Sequence, residues 1–190
     1  MISAAFLDRD GTINVDKHYL YKIENFEFIP GAVEGLRILQ DMGYSLFIIT
    51  NQSGIAKGYY TEEELALLNN WLIEYLSREG VRIEKIYYCP HHPQAIVPKY
   101  RLECNCRKPR LELYYRAARE YNINIDNSIA IGDKMRDLCI CMESGCKGFL
   151  VGTNEEKSRI IKVKSGSYKG IGYGVDLLQI ATLLAGNEEF

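Results

Sequence analysis

Short apolar segments alternate with segments of helical periodicity along most of the chain, and this alternation constrains the fold more than any other feature. The apolar segments are residues 4–7, 45–50, 85–89, 128–133 and 148–152. Strands that are covered on both faces have such largely apolar sequences. Because strands separated by helices pair in parallel, the sequence predicts an α/β fold with a doubly wound, Rossmann-like parallel sheet.

Several of the intervening helices have recognisable ends. Thr61 can cap the helix that follows it, Glu64 completes a capping box, and Gly80 is placed to stop that helix. Gly43 suits the position just past the end of the preceding helix. Further helices are expected over residues 134–143 and 176–186.

Length and charge limit the class of protein. We expect the 190 residues, 47% of them hydrophobic, to form a single domain, 1–190. The 23 basic and 25 acidic residues form no single-sign block, so we expect no nucleic-acid partner and no membrane surface. The chain has no signal-peptide pattern and no run of 18 apolar residues. We therefore expect the protein to stay in the cytoplasm. We also expect it to be a monomer.

Polar residues follow the predicted strands at the points where the strands end. Asp8 and Asp10 follow the first strand, Thr50 ends the second, and Asp133 ends the fourth. Taken alone, the Asp-x-Asp-Gly turn also fits an ordinary surface turn. In a parallel sheet, however, ligands bind beyond the carboxyl ends of the strands. Three carboxylates that meet there would repel one another without a hard cation, so the sequence predicts Mg²⁺ and a phosphate.

The two neighbouring acids suggest a division of chemical roles. One carboxylate can attack phosphorus and form an aspartyl-phosphate, while the other protonates the leaving oxygen and later activates water. The charge of the transferring phosphoryl group needs further neutralisation. Thr50 and Lys108 are the candidates for that role.

Four of the five cysteines and histidines between residues 89 and 109 have the spacing of a metal site. Cys89-Pro90-His91 and Cys104-Asn105-Cys106 supply two ligand pairs that suit a closed tetrahedral Zn²⁺ site. Buried free cysteines and a disulfide are the alternatives. Zinc would fix a loop of about residues 89–109 and present Arg107 and Lys108 to the edge of the sheet. We expect the three remaining cysteines, Cys139, Cys141 and Cys146, to pack in the core rather than form a second metal site.

Five motifs together resemble the haloacid dehalogenase superfamily of phosphatases. They are DRDGTIN, TNQSGIAKG, YYCPHHP, CNCRKP and GDKMRD, and the resemblance runs in order from about residue 4 to residue 152. The narrower resemblance is to the D-glycero-D-manno-heptose 1,7-bisphosphate 7-phosphatases and the related histidinol-phosphate phosphatases. No insertion large enough for a cap domain follows the first strand.

The resemblance implies a role for each matching residue. Asp8 would be the nucleophile and Asp10 the general acid and base, and Thr50 and Lys108 would steady the phosphoryl group. Mg²⁺ would be held by Asp8, by the backbone carbonyl of Asp10, and by Asp133. The substrate-binding residues would be Asp16, Tyr19, Asn51, Gln52, Ser53, Arg107 and Lys134. The zinc ligands would be Cys89, His91, Cys104 and Cys106, with His91 rather than His92 as the histidine ligand.

The function implied is a Mg²⁺-dependent phosphomonoesterase that removes the 7-phosphate from a small phosphorylated sugar, D-glycero-D-manno-heptose 1,7-bisphosphate. The same chemistry on histidinol phosphate is the alternative within the family. A catalytically silent, zinc-stabilised module that binds a phosphorylated ligand is the alternative from another class.

Four features do not fit this pattern. Lys57 stands where many relatives have Arg, and RLELYY follows RKP where the family usually has a proline-glycine turn. Asp137 could be an outer partner of the metal site or an acid that favours the dipole of its own helix. The Gly-rich residues 164–174 lack the context of a nucleotide-binding loop, and we expect a mobile surface loop there.

Overall fold

The computed structural model describes residues 1–152 and 171–186 and contains one parallel sheet of six strands in the order β3-β2-β1-β4-β5-β6. The strands are β1 (Ala4–Leu7), β2 (Ser45–Asn51), β3 (Ile83–Cys89), β4 (Ile129–Gly132), β5 (Lys147–Val151) and β6 (Ile171–Gly174). The α-helices are α1 (Ala32–Asp41), α2 (Glu62–Arg78), α3 (Glu112–Tyr121), α4 (Cys139–Glu143) and α5 (Leu177–Ala185). Short 3-10 helices cover Ile23–Asn25, Pro98–Tyr100 and Met135–Leu138. The predicted α/β class and parallel sheet are confirmed.

The sheet is covered on both faces, which explains its apolar strands. All four residues of β1 are buried, and alternate ones belong to two different core clusters. On one face, Ala5 and Leu7 pack in a cluster that includes residues of α1, α2 and α5. On the other face, Ala4 and Phe6 pack in a cluster that includes residues of α3. Burial on both faces makes hydrophobic packing the main stabilising contribution to the sheet.

Helices α1 and α5 pack closely because α1 has a glycine at the point of contact. A Cβ atom added to Gly35 would lie 3.0 Å from the backbone C and O of Leu177 and from the backbone N of Leu178. This is tighter than ordinary van der Waals contact, so a side chain here would push α1 and α5 apart.

The predicted helix ends are confirmed. The Thr61 Oγ1 atom accepts a hydrogen bond from the Glu64 backbone N at 3.2 Å, and the Thr61 backbone N donates to Glu64 Oε2 at 2.8 Å. Gly43 and Gly80 have φ values of +91° and +80°, which glycine adopts without strain. The helix expected over residues 134–143 consists of a 3-10 turn, Met135–Leu138, followed by α4.

The expectation of a surface loop over residues 164–174 is wrong at its end. Residues 171–174 form β6, which pairs in parallel with β5 from Gly148↔Ile171 to Val151↔Gly174. Gly174 is required there because an added Cβ would lie 2.5 Å from Ile180 Cγ1. Residues 164–170 lie outside the described residues.

Of the helices in the described ranges, none combines the length and the apolar character that a bilayer crossing needs.

Candidate active site

Three neighbouring strands bring the predicted catalytic residues together. β1 lies between β2 and β4, with Leu7 opposite both Ile48 and Ile131. Asp8, which directly follows β1, therefore lies near the level of Thr50, the second-last residue of β2, and of Asp133, which follows β4. This is the point where the strand order reverses, the usual ligand position in a doubly wound sheet.

Lys108 lies at the centre of a buried charge cluster. Its Nζ atom is 2.8 Å from Asp8 Oδ1, 2.8 Å from Asp137 Oδ1 and 2.6 Å from the carbonyl oxygen of Ile49. The Lys108, Asp8 and Asp137 side chains are only 1%, 7% and 1% exposed. Lys108 lies 100 residues after Asp8 in the sequence and thus contacts the residue that directly follows β1.

Burial and charge act in opposite directions in this cluster. Burial raises the pKa of Asp8 to about 6, and the positive charge of Lys108 limits that increase. Burial alone would lower the pKa of Lys108, but the Asp8 and Asp137 carboxylates outweigh it and the pKa of Lys108 is raised. Lys108 is therefore a cation beside the Asp8 carboxylate at neutral pH.

Asp137 belongs to this site, which sequence reasoning left undecided. Its Oδ1 atom contacts Lys108, and its Oδ2 atom accepts a hydrogen bond from the Lys134 backbone N at 2.9 Å. Carboxylate oxygens of Asp8, Asp133 and Asp137 lie within 4.8 Å of one another. The residue therefore does more than interact with the dipole of its own short helix.

Asp10 is held by three side-chain donors. Arg9 Nη2 lies 3.1 and 3.0 Å from the two Asp10 carboxylate oxygens, Asn14 Nδ2 donates to Oδ1 at 2.9 Å, and Gln52 Nε2 donates to Oδ2 at 2.9 Å. Burial alone would raise the pKa of Asp10, but the Arg9 charge and these hydrogen bonds lower it. Asp10 is therefore ionised and fixed in orientation.

Arg9 was not predicted as part of the site. Its side chain is fully buried and also donates to the carbonyl oxygen of Leu20 at 3.0 Å, which ties the loop after β1 to Asp10. A charged residue inside a buried loop gives no periodic signal in a sequence. The only available signal is its position between two acids.

Two predicted substrate-binding residues also support the site itself. Gln52 Nε2 donates to Thr50 Oγ1 at 2.9 Å, and its Oε1 accepts from the Tyr60 hydroxyl. Asn51 makes two hydrogen bonds with the Lys108 backbone, at 3.0 and 3.1 Å. These contacts orient Thr50 and fix the segment that carries Lys108.

A polar cavity of about 350 Å³ opens from this cluster. Every predicted substrate-binding residue lines it: Asp16, Tyr19, Asn51, Gln52, Ser53, Arg107 and Lys134. A second set of residues also lines the cavity: His18, Lys57, Tyr60, His92 and Arg136. Basic side chains predominate among the charged groups in this second set, so the cavity suits an anionic ligand.

The Cys89, His91, Cys104 and Cys106 side chains converge on one point. The three sulfur atoms are 3.2 to 3.5 Å apart, and His91 Nδ1 lies 3.3 Å from the Cys106 sulfur and 3.8 Å from that of Cys89. A tetrahedral zinc ion with bonds of about 2.0 to 2.3 Å places its ligand atoms roughly 3.6 to 3.8 Å apart. The sulfurs are too far apart for a disulfide, which needs about 2.05 Å. His92 lines the cavity instead.

The other three cysteines behave as packing residues. Cys146 is buried, and Cys139 and Cys141 pack against the core cluster on the α3 face of the sheet. Across residues 1–152 and 171–186, none of the three takes part in a candidate metal-ligand group. The expectation that they pack in the core agrees with these positions.

Comparisons with known proteins give the family. A HAD-hydrolase-like family model matches residues 105–169. D-glycero-alpha-D-manno-heptose-1,7-bisphosphate 7-phosphatase of Photorhabdus laumondii is 44% identical over 83% of this chain and 86% of its own length. D-glycero-beta-D-manno-heptose-1,7-bisphosphate 7-phosphatase of the same organism is 47% identical over 72% of this chain and 73% of its own length.

One solved structure has a similar fold to this chain over almost its whole length. D,D-heptose 1,7-bisphosphate phosphatase from B. bronchiseptica, complexed with magnesium and phosphate, has a TM-score of 0.82 and 28% identity. The match covers 98% of this chain and 99% of that one. With relatives at 44% and 47% identity, this chain belongs to the haloacid dehalogenase superfamily of phosphatases and, within it, to the family of the heptose-1,7-bisphosphate 7-phosphatases.

Proposed function

We propose that the protein is a Mg²⁺-dependent phosphatase that removes the 7-phosphate from D-glycero-D-manno-heptose 1,7-bisphosphate. The observation that carries this proposal is the buried contact of Lys108 with Asp8, at the edge of the sheet where Thr50 and Asp133 also lie. A carboxylate beside a fixed cation at the mouth of an anion-binding cavity suits attack on a phosphate ester. The heptose substrate is proposed from the names of the relatives.

Asp8 is proposed as the nucleophile. One of its carboxylate oxygens forms a bond to phosphorus while the bond from phosphorus to the sugar oxygen breaks. In the fraction of the enzyme in which Asp10 carries a proton, Asp10 donates that proton to the sugar oxygen. Asp10 then accepts a proton from the water that attacks the aspartyl-phosphate, which releases inorganic phosphate and restores Asp8. The three donors around Asp10 support this role because they fix its position.

Thr50 and Lys108 are proposed to stabilise the phosphoryl group during both steps. The Lys108 ammonium is held by two carboxylates and a carbonyl oxygen, so its position is set before the substrate binds. Preorganised charge of this kind stabilises a transition state more effectively than mobile charge.

The residues present fit a magnesium site. Carboxylate oxygens of Asp8, Asp133 and Asp137 lie close together, and such hard oxygen donors suit Mg²⁺. We propose that Asp8, Asp133 and the backbone carbonyl of Asp10 hold the ion, with Asp137 supporting Lys108 from the side. When bound, Mg²⁺ would neutralise negative charge on the carboxylates and on the substrate phosphate.

We also propose a structural zinc ion bound by Cys89, His91, Cys104 and Cys106. The convergence of the four ligand atoms supports it, and the loop of about residues 89–109 has only one 3-10 turn of regular structure, Pro98–Tyr100. Zinc would fix the loop that delivers Arg107 and Lys108. We take residues 1–190 as a single domain containing this zinc loop and no large cap.

The substrate-binding assignments remain proposals. Arg107 and Lys134 would contact the anionic substrate, and Asp16, Tyr19, Asn51, Gln52 and Ser53 would surround it. The monomeric state and the cytoplasmic location remain predictions from the sequence.

The proposal is tested by measuring phosphate release from both anomers of heptose 1,7-bisphosphate and from histidinol phosphate, with and without Mg²⁺. We expect Mg²⁺-dependent turnover of at least one bisphosphate anomer and much slower turnover of histidinol phosphate. Faster hydrolysis of histidinol phosphate would contradict the assignment. Absence of phosphate release from all three substrates would favour the silent binding module.

A substitution tests whether the activity depends on Asp8 as the proposed nucleophile. We expect Asp8→Asn to lose at least about 10⁴-fold in turnover. Asp41→Asn, which removes an exposed carboxylate on α1, serves as the matched control and should retain wild-type activity.

A further inference from the structure

The basic groups of the cavity differ in whether carboxylates neutralise them. Lys108 contacts Asp8 and Asp137, and Lys134 Nζ lies 2.7 Å from Asp133 Oδ2. Lys57 and Arg107 also line the cavity. Within the residues that the structure describes, neither has a carboxylate oxygen within 4.0 Å. Positive charge is thus balanced in the catalytic part of the cavity and unbalanced around Lys57 and Arg107.

Lys57 and Arg107 are positioned by uncharged groups instead. The Lys57 ammonium contacts the Tyr19 hydroxyl and lies 4.6 Å from the centre of the Tyr19 ring. Arg107 Nη1 donates to the carbonyl oxygen of His91 at 3.3 Å. Two fixed, unneutralised cations in one cavity repel each other and favour an anion near both.

His92 lines the same cavity and its ring orientation is defined. The Gln94 backbone N donates to His92 Nδ1 at 3.1 Å, and the His92 backbone N donates to the Tyr100 carbonyl oxygen at 3.1 Å. Because Nδ1 accepts a hydrogen bond, the ring proton must be on Nε2. Within residues 1–152 and 171–186, no hydrogen bond to His92 Nε2 is observed, so this donor is available to a ligand.

We infer that His92 is a specificity-determining residue whose Nε2–H donates to the second phosphate of the sugar bisphosphate, beside Lys57 and Arg107. The inference rests on the proposed function and adds to it a residue and a role. The catalytic cluster takes the phosphate that is removed, and this second group of residues takes the phosphate that stays on the sugar. His92 would therefore distinguish a bisphosphate from a monophosphate.

Two substitutions separate the two nitrogen atoms of the ring. In His92→Gln, the side-chain amide N can reach the position of Nε2, so the donor to the ligand is retained. In His92→Asn, the amide O can replace Nδ1 as acceptor for the Gln94 backbone N, but no donor reaches the position of Nε2. The pair thus distinguishes a role in substrate binding from a role in supporting the loop.

The test measures kcat and KM of the Mg²⁺- and zinc-loaded enzyme with heptose 1,7-bisphosphate and with the same sugar carrying only the 7-phosphate. We expect His92→Asn to reduce kcat/KM for the bisphosphate by about 10- to 100-fold, mainly through KM. Its kcat/KM for the monophosphate should stay within about twofold of wild type. His92→Gln should stay within about threefold of wild type for both substrates.

Equal losses on both substrates would overturn the inference, and so would activity that survives in His92→Asn but not in His92→Gln. Zinc content measured on each variant identifies any loss that comes from a disturbed metal site. If the variants have the kcat/KM of wild type for the bisphosphate, the role inferred for His92 is wrong while the proposed function stands. If wild type does not hydrolyse the bisphosphate at all, both fail.

Discussion

At the residue scale, the proposed general acid and base is fixed by its neighbours. Asp10 accepts hydrogen bonds from Arg9, Asn14 and Gln52, and its pKa is lowered by these contacts despite its burial. Protonation by a general acid contributes most to the rate where the leaving oxygen is strongly basic. The contribution of Asp10 should therefore depend on the leaving group.

We predict that Asp10→Asn loses about 10²- to 10⁴-fold in turnover of the sugar bisphosphate, because an amide cannot protonate the leaving oxygen. With 2,4-dinitrophenyl phosphate, whose leaving group needs no proton, the variant should release a burst of dinitrophenolate and then turn over slowly. Stopped-flow absorbance measures the burst, and Asp8→Asn is the control that should show none. A missing burst in Asp10→Asn would contradict the separation of roles.

The second residue-scale prediction concerns Arg9, whose buried charge is balanced by Asp10. Removing one member of a buried ion pair leaves an uncompensated charge. We predict that Arg9→Met lowers the free energy of unfolding by about 3 to 5 kcal/mol, measured by urea denaturation. The double variant Arg9→Met/Asp10→Asn should be more stable than Arg9→Met alone.

Arg119→Met is the matched control, since it removes an arginine from an exposed pair with Glu112. It should cost less than about 1 kcal/mol. Strictly additive effects of the Arg9 and Asp10 substitutions would show that the two side chains do not stabilise each other.

Residues whose role depends on long-range contacts were the hardest to predict from the sequence. Asp8, Thr50 and Asp133 could be predicted to meet because they stand at strand ends, and sheet geometry then brings them together. Arg9 and Asp137 gain their environment only from packing, through the Leu20 carbonyl oxygen and through Lys108. Neither contact leaves a pattern in local sequence.

At the element scale, glycine explains the main error. Residues 171–174 contain two glycines in four positions, a composition that disfavours a strand by propensity. As an edge strand beside β5, however, β6 needs a small residue at 174, where the Ile180 side chain approaches. Tertiary packing therefore overrides local preference there, whereas the longer apolar strands and the capped helix α2 follow their sequence signals.

The loop of about residues 89–109 is proposed to bind a structural zinc ion, and its metal content tests this. We predict one zinc ion per chain by elemental analysis, and we predict that Cys104→Ser loses it. Without the ion, the loop should no longer hold Lys108 beside Asp8, so the variant should lose activity and have a lower melting temperature. Cys141→Ser changes a cysteine outside the ligand set and should retain its zinc.

An unchanged zinc content in Cys104→Ser would contradict the proposed ligand set. Zinc loss without any decrease in activity would leave the site intact but remove its proposed link to Lys108.

At the scale of the whole molecule, the site draws on segments that are distant in sequence. Lys108 enters from the loop of about residues 89–109, while Asp8 follows the strand that lies in the middle of the sheet. Burying the Asp8 carboxylate is unfavourable for folding, because its pKa of about 6 lies above its ordinary value of 3.8. The proposed nucleophile should therefore destabilise the metal-free protein.

The raised pKa of Asp8 determines how the free energy of unfolding changes with pH. Because the folded pKa of Asp8 is raised, the folded state binds the proton more tightly, and stability decreases as the pH rises through about 6. Relative to Asp8→Asn, we predict that wild type loses about 1 to 2 kcal/mol of unfolding free energy between pH 5 and pH 8. Urea denaturation in Mg²⁺-free buffer without a chelator measures this difference and leaves the proposed zinc site undisturbed.

Asp41→Asn, at an exposed position, should follow wild type at every pH. Adding Mg²⁺ should reduce the pH-dependent difference, because the ion favours the ionised carboxylate that burial disfavours. A difference between wild type and Asp8→Asn that does not change with pH would show that burial of Asp8 does not oppose folding.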